Sequence, residues 1–138
     1  MKAIFADTGY WIALLNPRDE LHRKALSVSE GLGAVRIVTS EMVLAELLNH
    51  FADKSGPLRS AAVKTARQLL ANPNVEVVPQ TSVQFREGLT KYGDWADKPW
   101  SLTDCTSFAV MAERSIHEAL TYDRHFEQTG HVALLRQG

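Results

Sequence analysis

Apolar positions along the chain alternate between two kinds of pattern. Short apolar and β-branched runs predict strands over Ala3–Ala6, Arg36–Thr39, Val75–Val78 and Ala119–Tyr122, with a short fifth over Val132–Leu135. Longer stretches with helical spacing separate them, over Thr8–Leu15, His22–Glu30, Glu41–Phe51, Leu58–Leu70, Thr81–Tyr92 and Leu102–Ile116. In the third helix, Leu44, Leu47, Leu48 and Phe51 form a core-facing stripe and Ser40 is a credible N-cap. Leu58, Ala61, Ala62, Thr65, Ala66, Leu69 and Leu70 make the less polar face of the next helix. Phe85, Leu89 and Tyr92 share one side of the fifth, and Cys105, Phe108, Ala109, Ala112 and Ile116 form a stripe on the last.

The punctuation agrees with these boundaries. Asn16-Pro17 closes the first helix, because the residue before proline is pushed out of the α region. Gly31 and Gly33 end the second, Ser55-Gly56-Pro57 precedes the fourth, Asn72-Pro73-Asn74 is a turn, and 93–100 is a loop. Strands alternating with helices predict an α/β domain with a parallel sheet. With no internal repeat, low-complexity tract or dividing linker, residues 1–138 read as a single domain.

Composition narrows the classes. Hydrophobic residues make up 45% of 138, enough for a buried core. The longest apolar run, Tyr10–Leu15, is too short to cross a bilayer, and Asp7 interrupts the N-terminus before any secretory apolar stretch develops. The expectation is a cytoplasmic protein without a membrane partner. Cys105 is the only cysteine, which leaves no internal disulfide and no cysteine-based zinc site. Fifteen basic against 16 acidic residues give a net charge of −1, so the chain is no general polycation. That sum conceals a local patch: between Lys54 and Val75 the only charged residues are Lys54, Arg59, Lys64 and Arg67. The patch reads equally as an RNA contact or as a solvated helix face. The five histidines show no metal-ligand spacing and read as ordinary. Gly31-Leu32-Gly33 precedes a strand rather than following one, and no Gly-x-Ser-x-Gly elbow is present.

Four acids stand out by position. Asp7 and Asp123 sit at the C-terminal ends of the first and fourth strands, where open parallel sheets place their ligand crevice. Glu46 lies off the core stripe of the third helix, with Glu41 a weaker competitor, and Asp104 lies in the first turn of the last helix. Taken singly, each has a bland reading. Asp7 can cap a helix, Ser101-Leu102-Thr103-Asp104 has capping-box spacing, Glu46 can face solvent, and Asp123 can be a turn residue. Taken together they would converge on one edge of the sheet. Two carboxylates about 5 Å apart repel by roughly 3 kcal/mol at an effective dielectric near 20, so such a cluster needs shared protons or a cation. An all-oxygen set suits Mg²⁺ or Mn²⁺, and such a centre suits phosphodiester hydrolysis.

Phe5-Ala6-Asp7-Thr8, Leu44-Ala45-Glu46-Leu47, Trp100-Ser101-Leu102-Thr103-Asp104-Cys105 and Thr121-Tyr122-Asp123-Arg124-His125-Phe126 occur in this order. The set resembles the PIN-domain family of metal-dependent ribonucleases, especially the VapC-like toxins of bacterial toxin–antitoxin modules. The resemblance implies a three-layer α/β/α sandwich around a parallel sheet, a Mg²⁺ or Mn²⁺ site, endonucleolytic RNA cleavage and a homodimer. It implies Asp7, Glu46, Asp104 and Asp123 as catalytic metal ligands and Thr8 as a supporting hydroxyl. It also implies a small antitoxin whose tail covers the acidic cleft with an Arg or Lys. Arg124 and His125 are near enough in sequence to hold a phosphate or to be surface residues, and Trp95 and Trp100 to stack a base or to anchor a loop. The rival expectations are a non-catalytic RNA-binding or dimeric module whose acids are structural, and, last, a phosphate-handling signalling domain.

Overall fold

The computed structural model describes residues 1–54 and 56–138. Among these, five strands form one parallel sheet: β1 (Lys2–Ala6), β2 (Val35–Ser40), β3 (Val75–Val78), β4 (Glu118–Leu120) and β5 (Val132–Ala133), in the order β3-β2-β1-β4-β5. The register runs Ile4 opposite Ile37, Phe5 opposite Ala119, and Val38 opposite Glu76. The helices are α1 (Thr8–Leu15), α2 (His22–Gly31), α3 (Glu41–His50), α4 (Pro57–Ala71), α5 (Ser82–Asp94), α6 (Leu102–Glu113) and α7 (Arg124–Gln128).

The chain walks from β1 outward to β3, then crosses back to β4 and on to β5. Right-handed crossovers therefore put α1–α4 on one face and α5–α7 on the other, the three-layer sandwich expected. The helix packing agrees, since α1 meets α2, α3 and α4, while α6 meets α5 and α7 and also touches α3 across the layers. The direction of the walk reverses between β1 and β4, which opens a crevice beyond their C-terminal ends. Beneath it Phe5, Phe108 and Phe126 are buried and packed ring to ring. The sequence between α5 and α6 brings these helices close: a Cβ on Gly88 would lie 2.5 Å from the Thr106 methyl, so only glycine fits there.

Several expectations need correction. The stripe of α3 is Val43, Leu44, Leu47 and Phe51, while Leu48 is exposed. The Ser40 hydroxyl accepts the Val43 N–H, and that first turn seats Val43 in the core. Helix α6 stops at Glu113 instead of reaching Ile116. Ser115 adopts a left-handed backbone (φ 53°) and Ile116 N–H bonds Met111 O, a C-terminal lock built without the usual glycine. Ile116 is still buried, but Ala112 is exposed. Phe85, Leu89 and Tyr92 do share a face of α5, and that face is open to solvent. Strand β4 ends at Leu120, releasing Thr121–Asp123 into the crevice, and α7 follows where no helix was expected. Strand β5 gives way after Ala133 to a 3₁₀ turn over Leu134–Arg136. Of the turn expected before α4, Ser55 lies outside the described residues, while Gly56 is the N-cap (φ 59°) and Pro57 opens the helix.

Candidate functional site

Asp7 is the first residue past β1, its N–H bonded to Leu120 O of β4 at 3.1 Å. It occupies the N-cap position of α1, yet its side chain does not cap that helix. Instead Asp7 Oδ2 accepts the Thr121 hydroxyl at 3.0 Å. The same hydroxyl oxygen accepts the Asp123 N–H at 3.0 Å, so one threonine orients two acids. The sequence reading gave Thr121 no role; the signal was its place two residues before Asp123.

Asp104 and Ser101 form a capping box, with Ser101 N–H donating to Asp104 Oδ2 at 3.1 Å and Asp104 N–H to Ser101 Oγ at 3.0 Å. Asp123 caps α7, its Oδ1 accepting the His125 N–H at 2.9 Å. Asp104 is the cap its spacing predicts, Asp123 is a cap where a turn residue is expected, and capping aims both carboxylates rather than exhausting them. His125 is not the ordinary histidine expected: its Nδ1 lies 3.1 Å from Asp104 Oδ2 and 3.3 Å from Asp123 Oδ1. Glu46, half-buried on α3, faces the same space. Glu41 does not, because its carboxylate accepts the Gln80 N–H at 2.7 Å on the far side of the sheet edge.

These elements enclose a cavity of about 420 Å³ whose lining includes Asp7, Thr8, Glu46, Asp104, Thr121 and Asp123. His50, one turn beyond Glu46, also reaches it and was not singled out from the sequence. Burial pushes the Asp7 carboxyl up to about 7, and repulsion from Asp104 and Glu46 adds to the effect; the Thr8 N–H and Thr121 hydroxyl oppose it. Asp104 is also raised, by burial first, with the His125 and Ser101 hydrogen bonds pulling against it. Thr8 is 5% exposed and its hydroxyl has no partner among the described residues. A buried hydroxyl normally finds one, so this wall lacks something polar that a ligand or its water would supply.

The remaining candidates lie elsewhere. Arg124, Lys54, Arg59, Lys64 and Arg67 are exposed and none lines the cavity. Arg59 bonds the Ala52 carbonyl just past α3. Trp100 is buried, donating to Gln128 Oε1 at 2.8 Å and standing edge-on to Phe108, so it anchors the loop; Trp95 leans on it from the surface. Cys105 is buried and free, as a core residue should be. No helix among the described residues is long and apolar enough to cross a membrane.

Residues 4–132 match the PIN domain family. The 23S rRNA-specific endonuclease VapC20 of Mycobacterium tuberculosis is 30% identical over 132 residues, 94% of this chain and 95% of that protein. The crystal structure of that organism's VapC20, described as a Sarcin-Ricin loop cleaving toxin, superposes with a TM-score of 0.83 at 29% identity, covering 94% of this chain and 96% of the other. Two more distant structures share the fold, both with TM-scores of 0.61. They are FitAcB from Neisseria gonorrhoeae, at 16% identity over 94% of each chain, and VapBC2 from Rickettsia felis bound to a promoter DNA fragment, at 15% over 95% of this chain and 96% of the other. With the sheet order, the crevice and the full-length match in agreement, the chain belongs to the PIN-domain family.

Proposed function

We propose that the acidic cavity is a Mg²⁺ or Mn²⁺ centre hydrolysing RNA phosphodiesters, and that the protein is the toxin of a toxin–antitoxin pair acting in the cytoplasm. One observation carries this reading: Asp7, Glu46, Asp104 and Asp123, from four separate stretches of chain, line one cavity at the switch point of the sheet. The residues fit a hard divalent cation. The donors are mainly carboxylate oxygens, burial and two acidic neighbours raise the Asp7 carboxyl to about 7, and the Thr8 hydroxyl is unpartnered among the described residues. Bound there, such an ion supplies an activated water and neutralises charge on the phosphate.

The chain's own residues do the rest. Asp7 and Asp104 form the buried floor, oriented by Thr121 and by Ser101 with His125. Glu46 and Asp123 stand at the more open rim. Thr8 is placed to hold a water. Arg124, Lys54, Arg59, Lys64 and Arg67 lie outside the cavity, where an RNA strand longer than the scissile linkage would meet them. A homodimer would cover the open apolar face of α5, and an antitoxin Arg or Lys would pair with the acids in place of the cation.

The test is incubation of the purified protein with total RNA, with and without Mn²⁺, and mapping of the cut ends, ribosomal RNA first because VapC20 acts on it. Discrete ends that vanish in Asp104→Asn and in EDTA are expected. Cleavage undiminished by both would overturn the reading. RNA binding without cut ends would favour a non-catalytic module in which the acids are structural, as Asp104 and Asp123 already are in capping their helices.

A further inference from the structure

The geometry assigns His125 to the metal centre as a nitrogen ligand, from just outside the cavity lining and beside Asp104 and Asp123, giving a two-carboxylate, one-imidazole set that prefers Mn²⁺ over Mg²⁺. This rests on the reading of the cavity as a divalent-ion centre and goes beyond the all-oxygen set.

The placement begins in the sequence. Asp123 is the N-cap of α7 and His125 lies in its first turn, so the backbone N–H that Asp123 caps is the one belonging to His125. That local bond turns the imidazole toward the carboxylate. Helix packing does the remainder: α6 leads into β4, α7 leaves it, and the two helices meet, which sets His125 next to Asp104. Oδ2 of Asp104, Oδ1 of Asp123 and Nδ1 of His125 thereby form one compact group, with Nδ1 at 3.1 and 3.3 Å from the two oxygens.

Two features argue for a ligand rather than a hydrogen bond alone. Neighbouring donors on an octahedral ion with bonds of about 2.1 Å are about 3 Å apart, and both distances match that spacing. A single ring nitrogen also has only one hydrogen or lone pair to direct, yet it faces two carboxylates at nearly equal range. One of those, Asp104 Oδ2, already has the Ser101 N–H. An ion between the three atoms satisfies all of them at once. Independently, the buried Thr8 hydroxyl in the cavity lining lacks a partner among the described residues, which marks the cavity as one that expects an occupant.

The donor set then decides the ion. Mg²⁺ takes oxygen ligands and keeps its waters, whereas imidazole adds affinity along the first-row series that begins with Mn²⁺. Losing the imidazole removes that preference without removing the carboxylates.

Pulsed EPR of Mn²⁺ bound to the full-length protein reads this directly. Strong ¹⁴N modulation is expected from a coordinated imidazole, absent in His125→Gln and altered by ¹⁵N-histidine labelling. Calorimetric titration should show Mn²⁺ binding weakened about tenfold in His125→Gln, with Mg²⁺ binding nearly unchanged. Circular dichroism checks that the variant is folded, and the wild-type spectrum stands without it. Bound Mn²⁺ with no ¹⁴N coupling, or equal losses for both ions, would overturn the ligand role and leave the centre intact. No Mn²⁺ bound to the wild type at all would overturn the centre and this assignment together.

Discussion

Asp7 and Asp104 are equally buried, at 7% exposure each, and line the same cavity, yet the chain treats them differently. Asp104 sits in a capping box and faces a histidine, so its carboxylate is surrounded by donors supplied by α6 and α7. Asp7 has the Thr121 hydroxyl and the Thr8 N–H against burial and two acidic neighbours, and its carboxyl rises to about 7. One acid is positioned by the fold with donors set against the burial that still raises it. The other is positioned with its charge unanswered. On the proposed reading, a cation would relieve most charge at Asp7 and find its orientation at Asp104.

The largest effect expected from this difference is on cleavage, where both acids count alike. Asp7→Asn and Asp104→Asn should each lower RNA cleavage by about a thousandfold or more, the scale lost when charge stabilisation is removed from a transition state. The two should part company in stability. In EDTA at pH 8, Asp7→Asn should melt above the wild type, because an unanswered buried charge is gone. Asp104→Asn should gain less, because burial raises the carboxylate it removes but two hydrogen bonds oppose that rise. Thermal melts of the two variants side by side check this, and identical shifts would erase the distinction.

The pH dependence of the metal-free protein comes next in size. Asp7 has a folded pKa of about 7 against an ordinary value of 3.8. Below 3.8 the group is protonated in both folded and unfolded chains and costs nothing. As pH rises toward 7 the unfolded chain ionises while the folded one holds its proton, so stability falls by about 1.4 kcal/mol per pH unit and by about 4 kcal/mol in all. Urea melts in EDTA between pH 4 and 8 should show the decline, and Asp7→Asn should flatten most of it. Saturating Mn²⁺ should restore stability at pH 8 by binding only the folded state.

The same contrast explains what was legible from sequence. Asp7 and Asp123 follow buried apolar strands, and the order of such strands in a parallel sheet puts strand-end acids at one edge, so these two were readable from local pattern and a general rule. Asp104 was readable as a cap, and it is one. His125 was not, because its partner lies 21 residues away and only the packing of α7 against α6 joins them. Helix α7 spans five residues, too few to show a period. The end of α6 was misplaced because Ser115 takes a left-handed turn that glycine usually signals. In α5, the spacing of Phe85, Leu89 and Tyr92 predicted a shared face correctly, but spacing alone does not say whether a face meets the core or the solvent.

Smaller changes in the side chains that hold the two acids should sharpen the comparison. Thr121→Val removes the hydroxyl that donates to Asp7 and accepts from Asp123 N–H, so it should cost about 2 kcal/mol and extend the pH decline to higher pH by raising Asp7 further. Ser101→Ala removes only the oxygen capping α6, worth about 1 kcal/mol. The bond that holds Asp104 comes from the Ser101 backbone N–H, which alanine retains. Its stability loss should therefore be the same at pH 5 and pH 8, and Mn²⁺ affinity should stay within about twofold of wild type, a difference worth less than about 0.5 kcal/mol. A change in Mn²⁺ affinity as large as that of Thr121→Val would mean that Asp104 depends on side-chain support after all, and that the two acids are held alike.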